Sequence, residues 1–384
     1  MELYIFDKNL NFLGILDMFT SLLWNRRYFK SGDFELHCDL TSDNLSLLTK
    51  GNIVWKRGDY EAGYINYRNF KQDNEGKETL IVKGNLLTKK LNQRIIWGTV
   101  AANDKVENIM RKLVNDNCIN PADSKRVIPN LILENLKNFT QSINYFQNKH
   151  PKLADEMEVL STTSGLGHRV SFDAANKKLV FEVYQGVNRT VNQSVVSPCI
   201  FSKEFENVLE QEYTDSDADI ENTCLATGTY SYKVKSTVTE MDGTTKEEQI
   251  DVHLPQTTTI GGNNIGIDRY ETFVDGGDTQ GDGDPPVSMA QSLSNLQQKG
   301  TSELAQHVEV MSFDSQINVY SNLVYKTDFD LGDVVTCISK KWGITLDTRI
   351  TEIQEIYEEQ GLQVNVTFGD DVPTLIDKIK QKIK

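Results

Sequence analysis

The sequence predicts a mainly β fold, with two β regions flanking a small α+β insert. Three observations carry this. Over residues 1–95, and again from about 197, short β-branched and aromatic runs are bounded by Gly and Asp turns. Between them, over about 96–196, part of the chain takes on a helical apolar period. The last fifth, Tyr325–Asp370, reads as a three-stranded meander: Val334–Ile338, Ile344–Ile350 and Leu362–Phe368, with a turn at Trp342-Gly343.

In the first region, Leu3–Phe6 and Phe12–Leu16 flank an Asp7–Asn11 turn and predict a hairpin. Ser21–Phe29, Phe34–Cys38, Gly51–Trp55, Ala62–Tyr67 and Thr79–Lys83 continue the strand pattern, and this many short strands suggest a closed or nearly closed barrel. In the insert, Val106, Ile109, Met110, Leu113 and Val114 share a helix face, with Asn103 or Asp104 as N-cap. Asn130–Phe139 reads as extended, Leu153–Leu160 as helix or strand, and Gly165–Phe172 with Lys178–Tyr184 as a hairpin. Farther on, Val208–Gln211, Asn222–Thr227 and Thr229–Glu240 read as strands and Met241–Thr244 as a turn. Residues 255–287, rich in Gly, Asp, Thr and Pro, read as a long acidic loop. A helix follows at about 288–309, with Gly300 as a possible break, and residues 371–384 form a basic amphipathic tail.

Charge and composition exclude several classes. The formal net charge of −15 argues against wrapping nucleic acid, which needs a basic face. It is compatible with a channel that repels phosphates and lets DNA pass without sticking. No stretch reaches the roughly 18 apolar residues of a membrane span, and the N-terminus reads as a strand, which predicts synthesis in the cytoplasm without export. Five widely spaced cysteines form no metal or disulfide pattern. No HExxH, GxSxG or P-loop is present, and the five histidines are scattered. No cofactor is expected.

Four phrases in order resemble one family. They are Ser21–Leu36, Gly84–Ile96, Gly266–Asp275 and Leu331-Gly-Asp-Val-Val-Thr336. Together they resemble the tail-tip or baseplate hub proteins of phages, prophages and phage-tail-like particles of Gram-positive bacteria. The resemblance implies two tube-like β-barrels, at 1–95 and 197–370, in a homotrimeric ring. That ring adapts a six-fold tail tube to a three-fold spike or tip. The implied partners are the tube or distal tail protein, a spike or tip protein, and DNA passing through the lumen. The implied location is the virion or tail-like particle.

Candidate site residues follow. Asp275, Asp278, Asp282 and Asp284 sit among glycines and offer oxygens for Ca²⁺, but lack the EF-hand Glu; a solvated acidic loop is the stronger reading. Arg269 and Glu271 share a strand face and suit an inter-domain or inter-subunit contact. Trp24, Trp55, Trp97 and Trp342 read as core or interface anchors. Arg26 and Arg27 are candidates for ring salt bridges, with a solvated position as the equal alternative, and Asp333 of the Leu-Gly-Asp corner is a candidate for an interface. Two alternatives remain: a tail-associated cell-wall hydrolase and a host carbohydrate-binding module.

Overall fold

The computed structural model describes residues 1–147, 149–239, 245–283 and 286–369. The 241–244 turn, the 371–384 tail and Asp284 lie outside the described residues. β1 (Leu3–Phe6) and β2 (Phe12–Leu16) form the expected hairpin. The Asp7 carboxylate closes its turn by accepting from the backbone N–H groups of Asn9 and Asn11, each at 2.8 Å. There follow β3 (Ser21–Arg27), β4 (Asp33–Asp39), α1 (Ser42–Leu47), β5 (Ile53–Lys56), β6 (Ala62–Gln72) and β7 (Glu78–Leu86). β3 and β4 alternate strictly, burying Leu22, Trp24, Arg26, Phe34, Leu36 and Cys38 on one face.

The insert carries β8 (Val100–Lys105), α2 (Val106–Val114), β9 (Leu131–Leu133), β10 (Ser142–Gln147), α3 (Leu153–Ser164), β11 (Gly167–Asp173) and β12 (Lys178–Tyr184). α2 buries the five apolar residues that its period singled out. Its N-cap is Lys105, however, and Asn103 and Asp104 belong to β8, where Asp104 accepts from the Asn108 side chain. The ambiguous 153–160 segment is helical and ends at Gly165, which takes φ 73° at the C-cap. The insert has no separate core. Ile109, Leu113, Met157 and Phe181 pack in one cluster with Phe6, Leu10, Ile53, Leu87 and Leu91 of the first region.

The remainder comprises β13 (Ile200–Ser202), β14 (Val208–Ser216), β15 (Thr223–Thr239), β16 (Thr245–Gly261), β17 (Glu271–Gln280), α4 (Met289–Leu304), β18 (Val310–Ile317), β19 (Val334–Ser339), β20 (Ile344–Glu358) and β21 (Gly361–Gly369). The β19–β20–β21 meander is antiparallel, as expected. Three expectations need correction. The strands anticipated at 222–227 and 229–240 are the single strand β15. The 255–287 stretch is not one loop: it holds the end of β16 and all of β17, which pairs parallel to β15 across a bulge at Thr227–Thr229. Gly300 does not split α4, because it supplies close packing instead. A Cβ there would lie 2.3 Å from Ile260 Cδ1.

The two β regions are not two closed barrels. They share one thirteen-stranded sheet, in the order β14-β18-β21-β20-β3-β4-β7-β6-β5-β1-β2, with β19 on β20 and β13 on β19. The join is the antiparallel pair β3–β20, with Arg26 opposite Ile353 and Trp24 opposite Glu355. The sheet curls over two cores. One holds Leu3, Trp24, Phe34 and Val82, the other Phe201, Phe313, Ile350 and Phe368. β15, β16 and β17 form a separate sheet with α4 on one face.

Candidate assembly site

The join between the β regions has two faces, and both are polar where strand patterning alone would make one of them apolar. On the inner face, the fully buried Arg26 guanidinium donates from Nε to Glu61 at 2.9 Å. From Nη1 it donates to Asp330 at 2.7 Å and to the Tyr325 hydroxyl at 2.9 Å. Lys56 Nζ binds Glu355, and Asp59 at 2.9 Å, while lying over the Trp24 ring at 4.9 Å. Lys326 adds a contact to Asp59 at 3.0 Å. Tyr325 and Tyr357 both donate to Glu355. Burial alone would raise the carboxyls of Asp59 and Glu355, but the surrounding Lys56 and Lys326 hold both below the usual range. Burial pushes Tyr325 well up, keeping it a donor.

The outer face carries a line of hydrogen bonds across four strands. Gln363 donates to Asn365 (3.3 Å), Asn365 to Gln354 (3.0 Å), Gln354 to Asn25 (2.9 Å) and Asn25 to Asp33 (2.7 Å). Arg27 joins the line by bridging Asp33 and Glu352. Farther along, Lys83 pairs with Glu35 at 2.7 Å. Glu210, Glu212 and Asp314 extend the acidic character toward the β14 edge. The two cations named here are each paired with a carboxylate, so the face offers no unpaired charge of theirs to a phosphate.

The Leu-Gly-Asp corner ties the insert to this wall. Asp333 accepts from the Val187 backbone N–H at 2.7 Å and from Arg189 Nε at 2.8 Å. Gly332 has φ 93°, and the chain at Gly186 crosses it so closely that a Cβ on Gly186 would lie 1.9 Å from the Gly332 carbonyl oxygen.

The expected residues divide between this join and the β15–β17 sheet. Trp24 is core, stacked on Phe34 at 5.4 Å, and Arg26, Arg27 and Asp333 spend their bonds within the chain. Arg269 and Glu271 pair with each other at 2.6 Å beside exposed Phe273. Asp275 accepts from the Gly277 N–H, Asp278 from Ser231 and Gln280, and Asp282 from the Lys233 N–H. Among the described residues, no three His, Cys, Asp or Glu side chains converge to hold a metal.

Sequence reasoning missed two serine–histidine pairs. Ser231 Oγ meets His253 Nδ1 at 2.7 Å but gives its proton to Asp278, so the imidazole must donate to it and cannot act as its base. Ser161 Oγ meets His168 Nδ1 at 2.7 Å in the core. Burial pushes His168 down from 6.5 to about 4. The unfolded histidine therefore takes up a proton between those values while the folded one does not. Stability will fall as pH drops from about 6.5 to 4, by on the order of 3 kcal/mol. His168→Gln should flatten that limb of the urea midpoint against pH. An unchanged slope would acquit His168.

Residues 2–370 match the family described as Siphovirus ReqiPepy6 Gp37-like protein. No curated protein matches. Among solved structures, the prophage MuSo2 43 kDa tail protein from Shewanella oneidensis is similar at TM-score 0.53 and 12% identity, covering 96% of this chain and 98% of that one. The prophage tail protein gp18 from Listeria monocytogenes EGD-e is similar at TM-score 0.52 and 12% identity, covering 100% and 98%. The tail protein from Neisseria meningitidis MC58 is similar at TM-score 0.54 and 10% identity, covering 96% of each chain. These likenesses show a shared fold.

Proposed function

The chain belongs to the Siphovirus ReqiPepy6 Gp37-like protein family, and from that premise we propose that it is a non-enzymatic structural hub of a phage tail tip or baseplate. Three copies form a ring that joins the six-fold tail tube or distal tail protein to a three-fold spike or tip. The observation that carries this reading is the continuous outer face of the shared sheet, hydrogen-bonded from Gln363 to Asp33 across the join. In the ring, this face lines the lumen. Carboxamides and paired charges there leave DNA phosphates little to bind, so DNA slides past. The inner-face ion pairs hold the two β regions as one wall. The likeness to prophage tail proteins supports the same architecture.

Negative-stain electron microscopy of the purified chain, alone and with tail-tube protein, tests the proposal. Three-fold rings with a central hole, or three-fold caps on tube ends, are the expected result. Discrete particles of one chain under both conditions would remove the hub reading.

A further inference from the structure

β15 and β16 pair without a break from Thr223–Gly261 to Thr239–Thr245. Over the distal half, from Ser231 on, the two faces differ. One carries Tyr232, Val234 and Val238 opposite Val252, Ile250 and Lys246, with Ser236 and Glu248 between the last two pairs, while the other sets Ser231, Lys233, Lys235 and Thr237 opposite His253, Asp251, Gln249 and Glu247. α4 covers only the proximal part of the apolar face. Its Ser292 binds Gln256, and Gly300 sits on Ile260 and Cys224. Tyr230, bonded to the Val287 carbonyl, marks the limit of this cover. Beyond it, Val238 is 42% and Ile250 is 44% exposed. A bare two-stranded ribbon is marginal in water, and period-two alternation is the pattern of a strand with one buried face.

Charge indicates what covers it. On the polar face, Lys235 pairs with Glu247 at 3.3 Å. On the apolar face, Lys246 and Glu248 lie two residues apart with opposite signs, and among the described residues neither has an ion-pair partner. A face carrying one lysine and one glutamate among exposed Val238 and Ile250 is complementary to itself.

We propose that the distal half of this ribbon is a self-association element. Its apolar face packs against the same face on other copies of this chain, with polar faces outward, and Lys246 of one copy meets Glu248 of the next. This rests on the trimeric hub and names one contact that holds it.

Sedimentation velocity of the full chain over a concentration series tests it. Lys246→Glu and Glu248→Lys should each raise the concentration for half-assembly by about tenfold or more, since like charges then meet across the interface. The double variant should restore assembly, which a misfolded chain could not do. Lys235→Glu, on the outward face, should leave it unchanged. A wild-type trimer that survives both single variants and Val234→Glu overturns the ribbon contact while leaving the hub intact. A wild type that stays monomeric at every concentration also overturns it, because this association needs no tube; the hub reading then rests on the tube-end images.

Discussion

Arg26→Met will lower the stability of the folded chain by about 3–5 kcal/mol, read as the shift in a urea unfolding midpoint. The substitution keeps volume and apolar contact but strands two carboxylates. Glu61 is 4% exposed and loses the Arg26 Nε donor, and Asp330 loses its 2.7 Å partner. Uncompensated charge in a buried site drives the cost, more than the value of the ion pairs themselves. Replacing the group as a set should recover much of the loss: Arg26→Met with Glu61→Gln leaves one neutral amide where a bare charge stood. If Arg26→Met instead leaves the midpoint in place and abolishes ring formation, Arg26 serves a subunit contact and the in-chain lock is wrong.

Trp24→Ala will cost a similar amount, about 3–5 kcal/mol, by opening a cavity between Phe34 and Lys56. Trp24→Phe should cost clearly less, because Trp24 Nε1 has no acceptor among the described residues and its removal orphans nothing. A tryptophan at a subunit interface would show the reverse pattern: an intact monomer and a weakened assembly. Intrinsic fluorescence during unfolding and light scattering of the folded sample separate the two.

Local pattern was legible and long-range pairing was not. The hairpin at Asp7–Asn11, the α2 face, the β11–β12 hairpin and the terminal meander each depend on residues close in sequence, so alternation and turn chemistry suffice to find them. The join escaped notice because Arg26 and Asp330 are 304 positions apart. A strand ending in two arginines reads as a solvated face until its carboxylates are found. β17 was obscured for another reason. Asp275-Gly-Gly-Asp278 has the composition of a turn, yet the ladder absorbs the two glycines as an irregularity and resumes at Asp278. Arg269 and Glu271 bond to each other, with Arg269 just ahead of the start of β17.

The β3–β20 pairing also dictates when the molecule can become itself during synthesis. At roughly 5–20 residues per second, β3 leaves the ribosome on the order of 15–60 s before its partner strand does. Through that interval one edge of β3 is bare, and the buried charges around Arg26 await Tyr325, Asp330 and Glu355. Bare edges invite pairing with other nascent chains. A ribosome that stops early therefore releases a polypeptide with an open wall. In the proposed ring, translation to the last strands becomes the condition for assembly, a proofreading step written into strand order.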